Sequence, residues 1–228
     1  VFIINVQTKS VYNLALFSTI TYIVGMENLR KYKSVIMDDL FFCVDGEFDG
    51  PIPPQHSLLS FGSVAFTLRD GILGEFEVNI KPLPGATMYP SNKNFWDRNP
   101  KAYAATLVDQ QEPRAAMIQY DKHINGLRGK RRPLFVEFPG FIDFMWIHWY
   151  YHNFLGHCPF GFSAVSMKTF MMADQNLPYR QCTKRNMPKR WFNKNLRHTH
   201  EALDDARGQA HNCIQMMCEH FDIEVPRL

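Results

Sequence analysis

A chain of 228 residues with 46% hydrophobic and 21% charged side chains can bury one substantial core, which excludes a disordered or fibrous protein. A net charge of +3 is too small to name nucleic acid as a partner, and nineteen Phe, nine Tyr and four Trp serve a core as readily as base stacking. Five cysteines, with no CxxC pair, argue against a disulfide framework or a zinc knuckle and fit reduced thiols in a cytoplasmic setting.

Residues 1–25 are apolar and β-branched without an acidic residue, but Asn13, Ser18, Thr19 and Thr21 interrupt the run from Val11 to Val24. The stretch is a poor spanning helix. We expect an N-terminal extension over 1–25, as an extra strand or loosely attached tail, with no stable membrane association, and one domain over 26–228. Leu40–Val44 reads as a buried strand. Pro51, Pro53 and Pro54 force a loop. Leu58–Phe66 is a second strand, Asp70-Gly71 a hairpin turn, and Gly74–Ile80 a half-exposed third strand. Thr87 to Trp96 reads as a loop. Glu112–Ile124 has helical periodicity, with Ala115, Ala116, Met117, Tyr120 and Ile124 on one face. Leu134–Phe138 is a short buried strand that comes after the basic run Arg128–Arg132 and ends at Pro139-Gly140. Phe141–Phe154 and Ala164–Met172 read as helices. Glu201–Phe221 is a long final helix with Thr199 as its N-cap. The order gives an α/β domain, a mixed sheet covered by helices.

Three acidic pieces stand out. Asp45 and Glu47 are separated by one residue at the end of the first strand, so both carboxylates share a face. Like charges this close repel unless a cation lies between them, and hard oxygen donors suit Mg²⁺ or Mn²⁺. A solvated turn accommodates the same pair. Asp205 falls early in a helix whose Ala202, Ala206 and Ala210 permit close approach to the sheet. Asp204 points about 100° away. Acids in a first turn also simply complement the helix dipole. Asp143 is a lone acid in an aromatic segment, where an unpaired charge is costly to bury. A water-facing helix surface is the alternative.

In this order, the pieces resemble the DEDDh 3′→5′ exonucleases: Asp45 and Glu47 match the first motif, Asp143 the second, and His200 with Asp205 the third. The stretches D-x-E-x-DGPIP…HSLLSFGS and YRQCTKRNMPKRWF…HTHEALDDA resemble a compact bacterial branch of that family, over about residue 38 to 220. Gly46 and Phe48 depart from the family pattern, and Phe48 is expected to narrow the site. The resemblance implies a ribonuclease H-like fold and two divalent ions, Mg²⁺ or Mn²⁺, held by Asp45, Glu47, Asp143 and Asp205. It also implies that His200 takes a proton from the attacking water. The expected substrate is a single-stranded DNA or RNA 3′ end, released as nucleoside 5′-monophosphates. His198 is expected to be structural or to support the site's ligands from outside.

Lys184, Arg185, Lys189, Arg190 and Trp191 form a basic-aromatic stretch suited to phosphate and base, or equally a solvated loop with its Trp in the core. By the resemblance, Trp96 stands near the terminal nucleotide; Leu58, on the strand beside the first, is a pocket-lining candidate. Two other functions fit the same sequence: a non-catalytic nucleic-acid-binding module on this fold, and a phosphohydrolase of small nucleotides.

Overall fold

The computed structural model describes residues 32–196 and 198–227. The extension expected over 1–25 lies outside them. Residues 32–38 are helical. Residues 39–228 form a separate compact unit, which holds the sheet, its covering helices and the candidate site.

Five strands form one sheet in the order β3-β2-β1-β4-β5. They are β1 (Leu40–Phe48), β2 (Leu58–Thr67), β3 (Gly71–Asn79), β4 (Pro133–Glu137) and β5 (Ala164–Ser166). Neighbours among β1, β2 and β3 are antiparallel, whereas β4 and β5 add in parallel after helical crossovers. The mixed sheet expected from the element order is therefore present.

Six helices cover it: α1 (Pro90–Arg98), α2 (Pro100–Thr106), α3 (Pro113–Arg128), α4 (Ile142–Leu155), α5 (Met167–Asp174) and α6 (Ala202–His220). Alternation along β1 divides the two faces. Leu40, Phe42 and Val44 join Ala116, Met117, Tyr120 and Ile124 of α3 and Trp146, Ile147, Tyr150 and Tyr151 of α4 in the main core. The intervening Phe41, Cys43, Asp45 and Glu47 point to the opposite face, so the period of two that buries one set delivers the acids of the other. None of the helices among the described residues is long and apolar enough to cross a membrane.

Several local expectations need correction. Thr87–Trp96 is not all loop, because α1 begins at Pro90 and α2 at Pro100, each with proline in its first turn, where the missing N–H costs nothing. Ala164–Met172 is not one helix. Ala164–Ser166 pairs with β4, and Ser166 then caps α5 by accepting the Thr169 N–H. The N-cap of α6 is Glu201 rather than Thr199. The Thr199 N–H is instead committed to Asp205 Oδ1 at 2.9 Å.

Candidate active site

The site lies where β1, the first turn of α4 and the first turns of α6 meet. Asp45 pairs with Gly62 across the β1–β2 ladder. A Cβ on Gly62 would collide with the backbone of Ala202 and Leu203, so this glycine is what lets α6 settle on the sheet. That close approach brings Asp205 to Asp45 and Glu47, whose carboxylate oxygens lie within 4.8 Å of one another. The neighbouring Asp204 turns away to Arg207 at 2.9 Å.

Asp143 enters from α4. Its Oδ1 accepts the Gly46 N–H at 2.9 Å, which fixes it against the backbone between the two β1 acids. The turn leading into α4 is held by Glu137, fully buried at the end of β4, which accepts the N–H groups of Phe141 and of Phe144, the latter at 3.1 Å. Phe48 packs its ring on Trp146, with centroids 5.1 Å apart and planes at 16°. The loop after β1 is pinned by Asp49, which accepts the Ser57 N–H through its side chain and the Tyr89 N–H through its carbonyl, the latter at 2.7 Å.

Crowding into a buried corner raises the proton affinity of Asp45, Glu47 and Asp143. Desolvation, and then the Asp205 charge, push Asp45 up to about 7. Burial, and then Asp45 and Asp205, push Glu47 up to about 9. Asp143 is raised well above the usual carboxylate range by burial, then by Asp45 and Glu137. Lys184 opposes the shifts of Asp45 and Glu47 without cancelling them. The carboxylates therefore lack positive charge. A buried set of hard oxygen donors in that condition fits a divalent cation of the Mg²⁺ or Mn²⁺ type.

Two imidazoles stand beside the acids. His200 occupies the left-handed region at φ 60° and sets its ring edge-on to Phe95, centroids 5.0 Å apart at 88°. Burial, and then His198, hold it below the usual histidine value, so it is neutral and able to accept a proton at pH 7. Of the two roles expected for His198, its contacts fit support of a site residue. Its Nδ1 lies 2.5 Å from Asp205 Oδ2, and its ring centroid is 4.4 Å from that of His200. The two histidines and Asp205 form a second group able to hold a metal ion, but the all-carboxylate group is the more buried.

The residues expected to contact nucleic acid separate into two groups. Lys184 is half-buried and lines a cleft with Phe192, Leu196, His198, Asp205 and Gln209, while Arg185 and Lys189 are exposed. The others are committed elsewhere. Arg190 forms a two-pronged ion pair with Glu219, and Trp191, 1% exposed, donates its Nε1–H to the same carboxylate at 2.9 Å. Trp96 is buried and donates Nε1–H to the Phe48 carbonyl at 3.1 Å. Leu58 is fully buried in the main core. The rings open to solvent near the acids are instead Phe192, 38% exposed, and Phe141, 59% exposed. Two further residues of the site, Gln209 and Glu137, belong to no motif in the sequence. The one signal for Gln209 is a lone amide four residues after Asp205 on an otherwise small, apolar helix face.

No family model matches the chain. Over 178 residues it is 29% identical to the 3′-5′ DNA exonuclease Cap18 of Escherichia coli, covering 75% of this chain and 88% of that protein. Among solved structures it resembles the nuclease domain of 3′hExo, a DEDDh family member bound to rAMP, with a TM-score of 0.58 and 14% identity over 83% of this chain and 96% of that one. It also resembles S. pombe Pop2p in its Mg²⁺- and Mn²⁺-bound form, with a TM-score of 0.55 and 13% identity over 86% and 90% of the respective chains. The shared architecture is the ribonuclease H-like fold.

Proposed function

We propose that the chain is a member of the DEDDh 3′→5′ exonuclease family, and from that premise that it hydrolyses single-stranded nucleic acid from the 3′ end to nucleoside 5′-monophosphates. The observation that carries the reading is the meeting of Asp45, Glu47, Asp143 and Asp205, which come from three sequence-distant elements, beside the neutral imidazole of His200.

In this reading Asp45, Glu47 and Asp205 would hold one divalent ion of the Mg²⁺ or Mn²⁺ kind, and Asp45 with help from Asp143 would hold a second. When bound, such ions neutralise charge building on the scissile phosphate and favour ionisation of the attacking water. His200 accepts the water proton, a task suited to an imidazole kept neutral near pH 7. The Phe95 edge and the positive-φ backbone restrict where that ring points. Lys184, on the rim beside Asp205, meets the phosphate, and Arg185 and Lys189 extend the positive track along the strand. Phe192 and Phe141 offer faces for bases.

The sequence relative acts on DNA, which favours DNA over RNA as substrate. The five free cysteines suit a reducing, cytoplasmic setting. The test is release of single nucleotides from 5′-labelled DNA and RNA oligonucleotides in Mg²⁺ or Mn²⁺. Wild type should shorten the strand stepwise from the 3′ end, and Asp205→Ala should be inert. Equal rates for the two proteins would reject the assignment.

A further inference from the structure

Gln209 lies one turn of α6 beyond Asp205 and is only 2% exposed. A buried primary amide is costly unless both its ends are bonded. Here both are. Nε2 donates to Asp45 Oδ1, and Oε1 accepts the Phe138 N–H at 3.2 Å. A peptide N–H only donates and an ionised carboxylate only accepts, so the amide is held in one orientation.

The two partners belong to different parts of the site. Asp45 lies on β1. Phe138 lies in the turn between β4 and α4, next to Glu137, whose carboxylate holds the first turn of α4 and with it Asp143. One side chain on the helix that supplies Asp205 therefore ties together the segments that supply the other two motifs. With Oδ1 of Asp45 taken by Gln209, rotation of that carboxylate is restricted and its second oxygen is left for a cation.

We propose that Gln209 is a positioning residue of the cation site, fixing the orientation of Asp45 and locking it to the α4 turn, so that cation affinity depends on it. The proposal rests on the functional reading above and deepens it. Partners that orient a metal ligand from behind typically account for about 10- to 100-fold in metal affinity. A residue that merely packs α6 would change stability and leave cation affinity alone.

Asn212 supplies the comparison. It too is a buried amide on α6, 5% exposed, but its amide nitrogen donates to the Trp191 carbonyl at 2.8 Å and to the Gly208 carbonyl at 3.3 Å rather than to an acid of the site. The experiment titrates Mn²⁺ into wild type, Gln209→Met, Gln209→Asn and Asn212→Ala, by calorimetry without nucleic acid, and records Tm for each. Gln209→Met keeps the volume and removes both hydrogen bonds. It should weaken Mn²⁺ by about 10- to 100-fold and raise the Mn²⁺ needed for half-maximal cleavage by the same factor. KM for the oligonucleotide at saturating Mn²⁺ should stay within about twofold. Gln209→Asn, one methylene too short to span both partners, should move the same way and decides the matter if the Met variant does not fold. Asn212→Ala should lower Tm and leave Mn²⁺ affinity unchanged. Wild-type affinity in the Gln209 variants, or an equal loss in Asn212→Ala, would overturn the proposal alone. No Mn²⁺ uptake by wild type would overturn it together with the functional reading.

Discussion

Gly62 stands opposite Asp45 in the β1–β2 ladder, and the space a side chain would fill at Gly62 is taken by the Leu203 backbone of α6. The approach of the last helix to the first strand is thus set by a missing Cβ. Gly62→Ala should push the Asp205 end of α6 off the sheet, cost about 1–3 kcal/mol as an overpacked contact, and weaken Mn²⁺ binding at the same time. Thermal melts and Mn²⁺ titration would check this. A variant that melts earlier but binds Mn²⁺ as wild type does would show that the close approach serves packing alone.

Without a cation, the acids should make stability depend on pH in a defined sense. Asp45 is raised to about 7 and Glu47 to about 9, whereas unfolded carboxylates release their protons near 4. Between those values the folded protein binds more protons than the unfolded chain, so stability falls as pH rises through this window. Mn²⁺ competes with those protons. The Tm gain on adding saturating Mn²⁺ should therefore be several degrees larger at about pH 8 than at about pH 6. Equal gains at the two pH values would contradict cation binding at these carboxylates.

The two histidines should separate kinetically. His200→Ala removes the proton acceptor and should lower kcat by about 100-fold or more at neutral pH. His198→Ala removes the partner of Asp205 Oδ2 and should change kcat by less than about tenfold. Single-turnover cleavage at saturating Mn²⁺ would rank them, and the reverse ranking would transfer the role of base to His198.

The basic segment should divide in the same way. Lys184→Ala, Arg185→Ala and Lys189→Ala should each weaken oligonucleotide binding and make its salt dependence shallower by about one unit of slope. Arg190→Ala should leave that slope alone, because its guanidinium is already engaged by Glu219. Trp191→Ala should cost about 3–5 kcal/mol, as expected for a buried indole, and lower affinity only by loosening the segment. Fluorescence anisotropy across a salt series, with parallel melts, distinguishes the two behaviours.

Much of this arrangement is legible in the sequence because its signals are periodic. Strand alternation puts Asp45 and Glu47 on one face, and the small residues Ala202, Ala206 and Ala210 mark the side of α6 that meets the sheet. The ring contacts are less legible. Trp96 and Trp191 each have a polar nitrogen that is satisfied equally well by water at a surface or by one buried acceptor, and here the acceptors are the Phe48 carbonyl and Glu219. The strand Ala164–Ser166 is too short to show alternation before α5 begins. Gln209 is hidden because its partners lie 164 and 71 residues away.

The position of α6 in the order of elements has a consequence for biosynthesis. Every strand precedes it, so a nascent polypeptide exposes Asp45, Glu47 and Asp143 well before Asp205, Gln209 and the Glu219 that anchors Trp191 have been made. Translation products that stop short of this helix lack Asp205 and Gln209 of the acid cluster and the Glu219 carboxylate that holds Arg190 and Trp191.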